Sequence, residues 1–149
     1  MNSKLRKLFQ LEPIDQQLLI EAYLCLGLVR LGLWLLPFGS LRKVLNKINS
    51  YQITDKLPVF VQIEQITTAI NRSSHYSPGD VKCLAKALAT EVLLTKYGYF
   101  PLLKIGVAKG ERGQLEAHAW VEERGKIVIG NLRDLSRYKP LPSLKQTAN

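Results

Sequence analysis

At 149 residues, with 46% hydrophobic and 22% charged side chains, the chain has the length for one domain with a real core and is too apolar to be disordered. A net charge of +9 would suit an acidic partner, but the excess is spread: residues 1–57 carry eight Lys/Arg against four Asp/Glu, and residues 58–149 thirteen against eight. With no run of five like charges, no zinc-finger spacing and no aromatic-basic stripe, the expectation is no nucleic-acid role. Two cysteines, Cys25 and Cys83, do not make the disulfide framework of a small secreted domain, so a reducing cytoplasm is expected.

The N-terminus from Met1 to Lys7 is basic, yet Glu12, Asp15 and Glu21 interrupt the apolar stretch after it and no small-residue cleavage site closes that stretch, so no signal peptide is read. Asp15 to Leu36 predicts a long helix, apolar on most faces, ended by Pro37-Phe38-Gly39. Glu21 and Arg30 within it cost about 2.5–3.5 kcal/mol each near the middle of a membrane span, which favours a buried or interfacial helix, with membrane-surface contact left open. Ser40 is placed as the cap of a short helix to Ile48, and Asn49 to Leu57 as an irregular joint. Val59, Ile63, Ile66 and Ile70 are spaced for a helix from Pro58 to Asn71, followed by a loop over Arg72 to Tyr76.

Ser77-Pro78-Gly79-Asp80 reads as a capped helix start, with the helix running through Leu84, Leu88 and Val92 to Tyr97 and stopping at Gly98. From there the period shortens. Phe100–Ala108, Leu115–Glu122 and Lys126–Gly130 predict three antiparallel strands, joined by turns at Gly110–Gly113 and Glu123–Lys126. The expected architecture is α+β: a helical region over 1–57 within the same compact unit as a core over 58–149, where a cysteine-bearing helix packs on a small antiparallel sheet.

Cys83 falls in the first turns of that helix, where aligned peptide dipoles and unpaired N–H groups favour a thiolate and an oxyanion. Cys25, deep in the apolar helix, is expected to be inert packing. His118 sits on a predicted strand between Ala117 and Ala119, with Trp120 on the same face to shield the imidazole or line a substrate cleft. His75, in a polar stretch, is expected to be solvated. A third group should orient His118. If Arg124-Gly125 is a two-residue hairpin loop, Asn131 falls opposite His118, and its amide oxygen would complete a Cys-His-Asn set; if Gly125 instead closes a three-residue loop with a bulge, the pairing shifts by one and Gly130 faces His118. Asp134 is the competing candidate, since a carboxylate orients and charges the ring more strongly. The chemistry needs no metal and no cofactor.

The run Cys83-Leu84-Ala85-Lys86-Ala87-Leu88-Ala89, then Gly98-Tyr99, Leu103 to Val107, Ala117-His118-Ala119-Trp120-Val121-Glu122 and Val128-Ile129-Gly130, resembles the lasso-peptide leader peptidases of the microcin-J-processing type, within the transglutaminase-like and papain-like cysteine proteases. The resemblance covers roughly residues 58–142. It implies a Cys-His-Asp triad carried onto Cys83 and His118. At the third position this sequence reads Gly130-Asn131-Leu132-Arg133-Asp134, so Asn131 and Asp134 both stand as candidates. It also implies the substrate and partners: a precursor peptide cut to free its leader, a separate leader-recognition protein, and a macrolactam synthetase that uses the new amine. The alternatives are a non-catalytic scaffold of such a complex and an acyl transferase of the transglutaminase kind.

Overall fold

The computed structural model describes residues 3–54, 61–79 and 81–141. Five helices come first: α1 (Ser3–Phe9), α2 (Pro13–Leu35), α3 (Phe38–Thr54), α4 (Ile63–Tyr76) and α5 (Cys83–Lys96). Four strands come after them, β1 (Leu102–Lys109), β2 (Leu115–Glu123), β3 (Lys126–Ile129) and β4 (Lys139–Pro140), with a single 3-10 turn at Leu135–Arg137 before the last. They form one antiparallel sheet in the order β3-β2-β1-β4. The fold is α+β.

The core forms where α5 lies between the sheet and the other helices. Ala85, Leu88, Ala89 and Val92 of α5 pack with Leu18, Leu26, Ile66 and Ile70 of α2 and α4 on one side, and with Leu103, Ala119, Val121 and Ile129 of the sheet on the other. The alanines matter because small side chains on α5 let the sheet approach closely. A buried bidentate ion pair, Arg42 Nη1–Glu91 Oε1 at 2.6 Å and Nη2–Oε2 at 3.0 Å, ties α3 to α5. Asn49 Nδ2 donates to the same carboxylate at 3.3 Å.

Three helices differ at their ends from the sequence expectation, each for a local reason. α3 starts at Phe38 and runs through the polar stretch to Thr54, because Leu41, Leu45 and Asn49 are one buried face at helical spacing. Asn49 belongs to that face since its amide has Glu91 as a buried partner. α4 continues through Arg72 to Tyr76 instead of looping, because Ser73 is buried and its hydroxyl donates to Leu19 O. Ser77 therefore closes α4, its N–H and hydroxyl both donating to Ser73 O. It does not open α5. Gly79 breaks the run with φ +74°, and α5 begins at Cys83 after Lys82. Pro58, Val59 and Asp80, which figured in these expectations, lie outside the described residues. At its far end α5 stops where expected, Gly98 N–H donating to Thr95 O and Tyr99 N–H to Leu94 O.

The hairpin turn is the two-residue one, with Arg124 and Gly125 both at positive φ (50° and 78°), as a turn that matches the strand twist requires. Glu123 pairs with Lys126 and Glu122 with Ile127. The next pair is Val121 with Ile129, so Val128 is a bulge residue that shifts the register by one. The register that would set Asn131 opposite His118 therefore ends at Val128.

Candidate active site

Cys83 is the first residue of α5, so its sulfur stands at the positive end of a 14-residue helix. The N-cap residue is Lys82, which makes no side-chain cap, so no carboxylate or hydroxyl from that position competes for the first-turn N–H groups. The thiol is half-buried against the edge of the core.

His118 lies on β2 directly opposite Gly106 of β1. On its other side, beyond the bulge, Gly130 turns with φ +85° and its carbonyl oxygen lies 2.6 Å from His118 Nε2. A carbonyl only accepts, so this bond places the proton on Nε2 and leaves Nδ1 as the basic nitrogen of the neutral ring. The ring is also flanked by aromatics: Trp120 stacks at 6.2 Å between centroids and Tyr138 sits tilted at 5.7 Å. Both glycines make room for this nest. A Cβ on Gly106 would stand 2.9 Å from the Trp120 ring and 3.0 Å from Tyr138 Cβ, and one on Gly130 would stand 2.7 Å from Ala119 O and 2.8 Å from Trp120 Cβ.

Cys83 and His118 both line a cavity of about 450 Å³ at the β3 edge of the sheet. Ala119, Val121 and Ile129 face α5, while His118 and Trp120 take the alternate positions along β2, so it is at this edge that helix end and imidazole share one wall. Among the described residues no hydrogen bond joins Sγ to the ring; such bonds often tighten only when substrate arrives. Asn71 and Lys86 complete the polar lining, Lys86 one turn after Cys83, and Ile127, Val128 and Ile129 supply an apolar wall. Among the described residues the charged side chain in the lining is that of Lys86, which with the positive end of α5 brings positive charge to this wall.

The remaining sequence candidates separate. Asn131 lines the same cavity, exposed, but the register that set it opposite His118 ends at the Val128 bulge, and the ring's hydrogen bond goes to the neighbouring Gly130 carbonyl. Asp134 is held elsewhere, its carboxylate taking Arg137 Nε at 3.1 Å and Nη2 at 3.0 Å in a second surface cavity with Lys109 and Glu116. Trp120 is 3% exposed and lies behind the imidazole, outside the cavity lining. Cys25 is a different thiol: burial, with the Glu21 carboxylate adding to it, pushes it up to about 11. Sequence reasoning passed over Asn71 and Lys86, and set Gly130 beside His118 only through a three-residue loop, which the two-residue turn at Arg124-Gly125 rules out. Lys86 had a signal, since it stands one helical turn from the nucleophile candidate.

A family model described as the transglutaminase-like superfamily matches residues 26–143. The chain belongs to that superfamily. The match begins inside α2 and takes in α5 and the whole sheet, so it spans the cavity and both groups in its wall. The transglutaminase-like superfamily includes cysteine peptidases and acyl transferases, both of which transfer an acyl group through a thiol. No curated protein and no solved structure matches the chain.

Proposed function

We propose that this member of the transglutaminase-like superfamily is a cysteine peptidase that removes the leader from a ribosomally made lasso-peptide precursor before macrolactam closure. The observation that supports the reading best is the pairing in one cavity wall of a helix-start thiol, Cys83, with an imidazole whose tautomer is fixed by Gly130 O. The resemblance carried by the motifs from Cys83 through Gly130 supplies the substrate class.

In this reading Nδ1 of His118 takes the thiol proton and Cys83 Sγ attacks the scissile carbonyl carbon. First-turn N–H groups of α5 hold the oxyanion. The C–N bond breaks as the imidazolium returns its proton to the leaving amine, and the acyl group stays on sulfur. Water, deprotonated by His118, then attacks the thioester, releasing a carboxylic acid and the free thiol. Gly130 O holds the ring in the part that a carboxylate plays in a Cys-His-Asp set, with Asn131 beside it at the cavity rim. A separate leader-recognition protein delivers the precursor, and a macrolactam synthetase consumes the new amine.

The test is reconstitution of precursor, recognition protein and this chain, with products followed by mass spectrometry. Loss of cleavage with Cys83→Ala supports the reading; unchanged cleavage assigns the chain a scaffold role. Added primary amines separate peptidase from acyl transferase, because dominant amide over acid would mean that amines outrun water at the thioester.

A further inference from the structure

We propose that the outer face of α2, with the adjoining edge of α3, docks on an anionic lipid surface. Helix α2 is long and apolar enough to cross a membrane, but its inner face cannot be in lipid: Leu18, Ala22, Leu26 and Val29 are buried in the protein core. The helix is therefore apolar on the side away from the core as well. Ile20, Leu24, Leu28, Leu31, Trp34 and Leu35 point outward, Leu28 at 69% and Trp34 at 80% exposed. A continuous apolar face of this kind on a globular domain marks an interaction surface.

Two features fit lipid better than a protein helix. Between α2 and α3 runs an apolar groove of about 640 Å³ with Val92 and Leu93 among its lining residues. A single partner helix in that groove would cover Leu24, Leu28 and Ile48 but leave Ile20, Tyr23 and Trp34 in water, since these lie off it. A bilayer covers both sets at once, with the amphipathic rings of Tyr23 and Trp34 at headgroup depth. The charge pattern agrees. On α3, exposed Lys43 and Lys47 each precede an exposed apolar residue of the groove, Val44 and Ile48, and α3 carries no carboxylate from Phe38 to Thr54. Glu21, the carboxylate at the groove, is neutralised by Lys96 Nζ at 2.8 Å. Lysines beside apolar side chains on one helix are the arrangement that lets ammonium groups reach phosphates while the apolar neighbours enter the interface.

The test is co-sedimentation of the full chain with phosphatidylcholine vesicles and with vesicles of equal parts phosphatidylcholine and phosphatidylglycerol. The expected result is binding to the anionic vesicles that weakens with salt. Lys43→Gln with Lys47→Gln should lower the partition about thirty-fold, near fivefold per lysine, and Leu28→Asp should abolish it. Both changes fall on exposed positions, and a thermal melt checks folding; if Leu28→Asp fails to fold, the lysine pair still decides. A chain that stays in solution with anionic vesicles overturns the proposal. In that case a lipid-free dimer that Leu28→Asp dissociates assigns the face to a second copy, and a monomer assigns it to a protein partner.

Discussion

Gly130→Ala tests the site at its narrowest point. At φ +85° any residue with a Cβ costs about 1–2 kcal/mol relative to glycine. The new methyl would also stand 2.7 Å from Ala119 O and 2.9 Å from Trp120 Cα, and backbone atoms cannot swing away as a side-chain tip would. Overpacking of this kind adds roughly 1–3 kcal/mol. The sum, about 2–5 kcal/mol, corresponds to a fall in Tm of roughly 5–15 °C for a domain of this size. Relief of the clash moves the Gly130 carbonyl, so the bond to His118 Nε2 lengthens and the tautomer is no longer fixed.

Carboxamidomethylation of Cys83 by iodoacetamide at pH 7 reads this without a substrate, because the rate tracks the thiolate that His118 helps to form. Loss of one hydrogen bond of about 1.4 kcal/mol predicts a tenfold slower reaction. Gly125→Ala is the control. It has the same backbone demand at φ +78° but open space around its Cβ, so it should lose about 1–2 kcal/mol of stability and leave the alkylation rate unchanged. If Gly130→Ala is destabilised and Cys83 still reacts at the parent rate, the carbonyl is not what orients the imidazole.

Lys86→Ala should slow alkylation by anionic iodoacetate about threefold more than by neutral iodoacetamide, since it removes the one lysine that lines the cavity among the described residues; an unchanged ratio means that the ammonium does not act at the sulfur. Glu91→Ala leaves the Arg42 guanidinium buried without its carboxylate, which predicts a loss of about 3–5 kcal/mol and a Tm lower by roughly 10 °C or more, measured by circular dichroism. At pH 8 the native chain should take up one carboxamidomethyl group, at Cys83: Cys25, pushed up to about 11, is a neutral thiol at that pH, so Cys83→Ala should remain unlabelled until unfolded.

The architecture was legible wherever periodicity carries it. The long apolar helix, the helix that starts near Cys83 and the three strands all come from the spacing of apolar residues, and the glycines at 98 and 125 mark a helix end and a turn. What was not legible depended on tertiary partners. Asn49 and Ser73 look like loop residues until Glu91 and Leu19 O are brought beside them, and then they extend α3 and α4. Strand β4 carries Pro140 and two residues only, too little for a pattern. The third group of the site was missed for a sharper reason. A bulge at Val128 leaves no signature in composition, yet it ends the register that would pair Asn131 with His118, and a main-chain carbonyl has no side chain to betray it.

A carbonyl in that position has a different consequence from a carboxylate. It fixes the ring and the tautomer through a dipole, but it brings no net charge to offset the imidazolium that the proposed reaction would form. In the proposed reaction the positive end of α5 and the Lys86 ammonium would act in the opposite sense, holding the oxyanion while opposing a second cation nearby. In that reading the cavity would hold the negative charge of the oxyanion and leave the imidazolium to be balanced by the thiolate itself. That balance is strongest when water is excluded, because two opposite charges attract more as the medium between them becomes less polar. The apolar wall of Ile127, Val128 and Ile129 is where an extended peptide would lie to exclude it. In the proposed reaction a seated peptide would exclude water from this wall and so strengthen the attraction between thiolate and imidazolium.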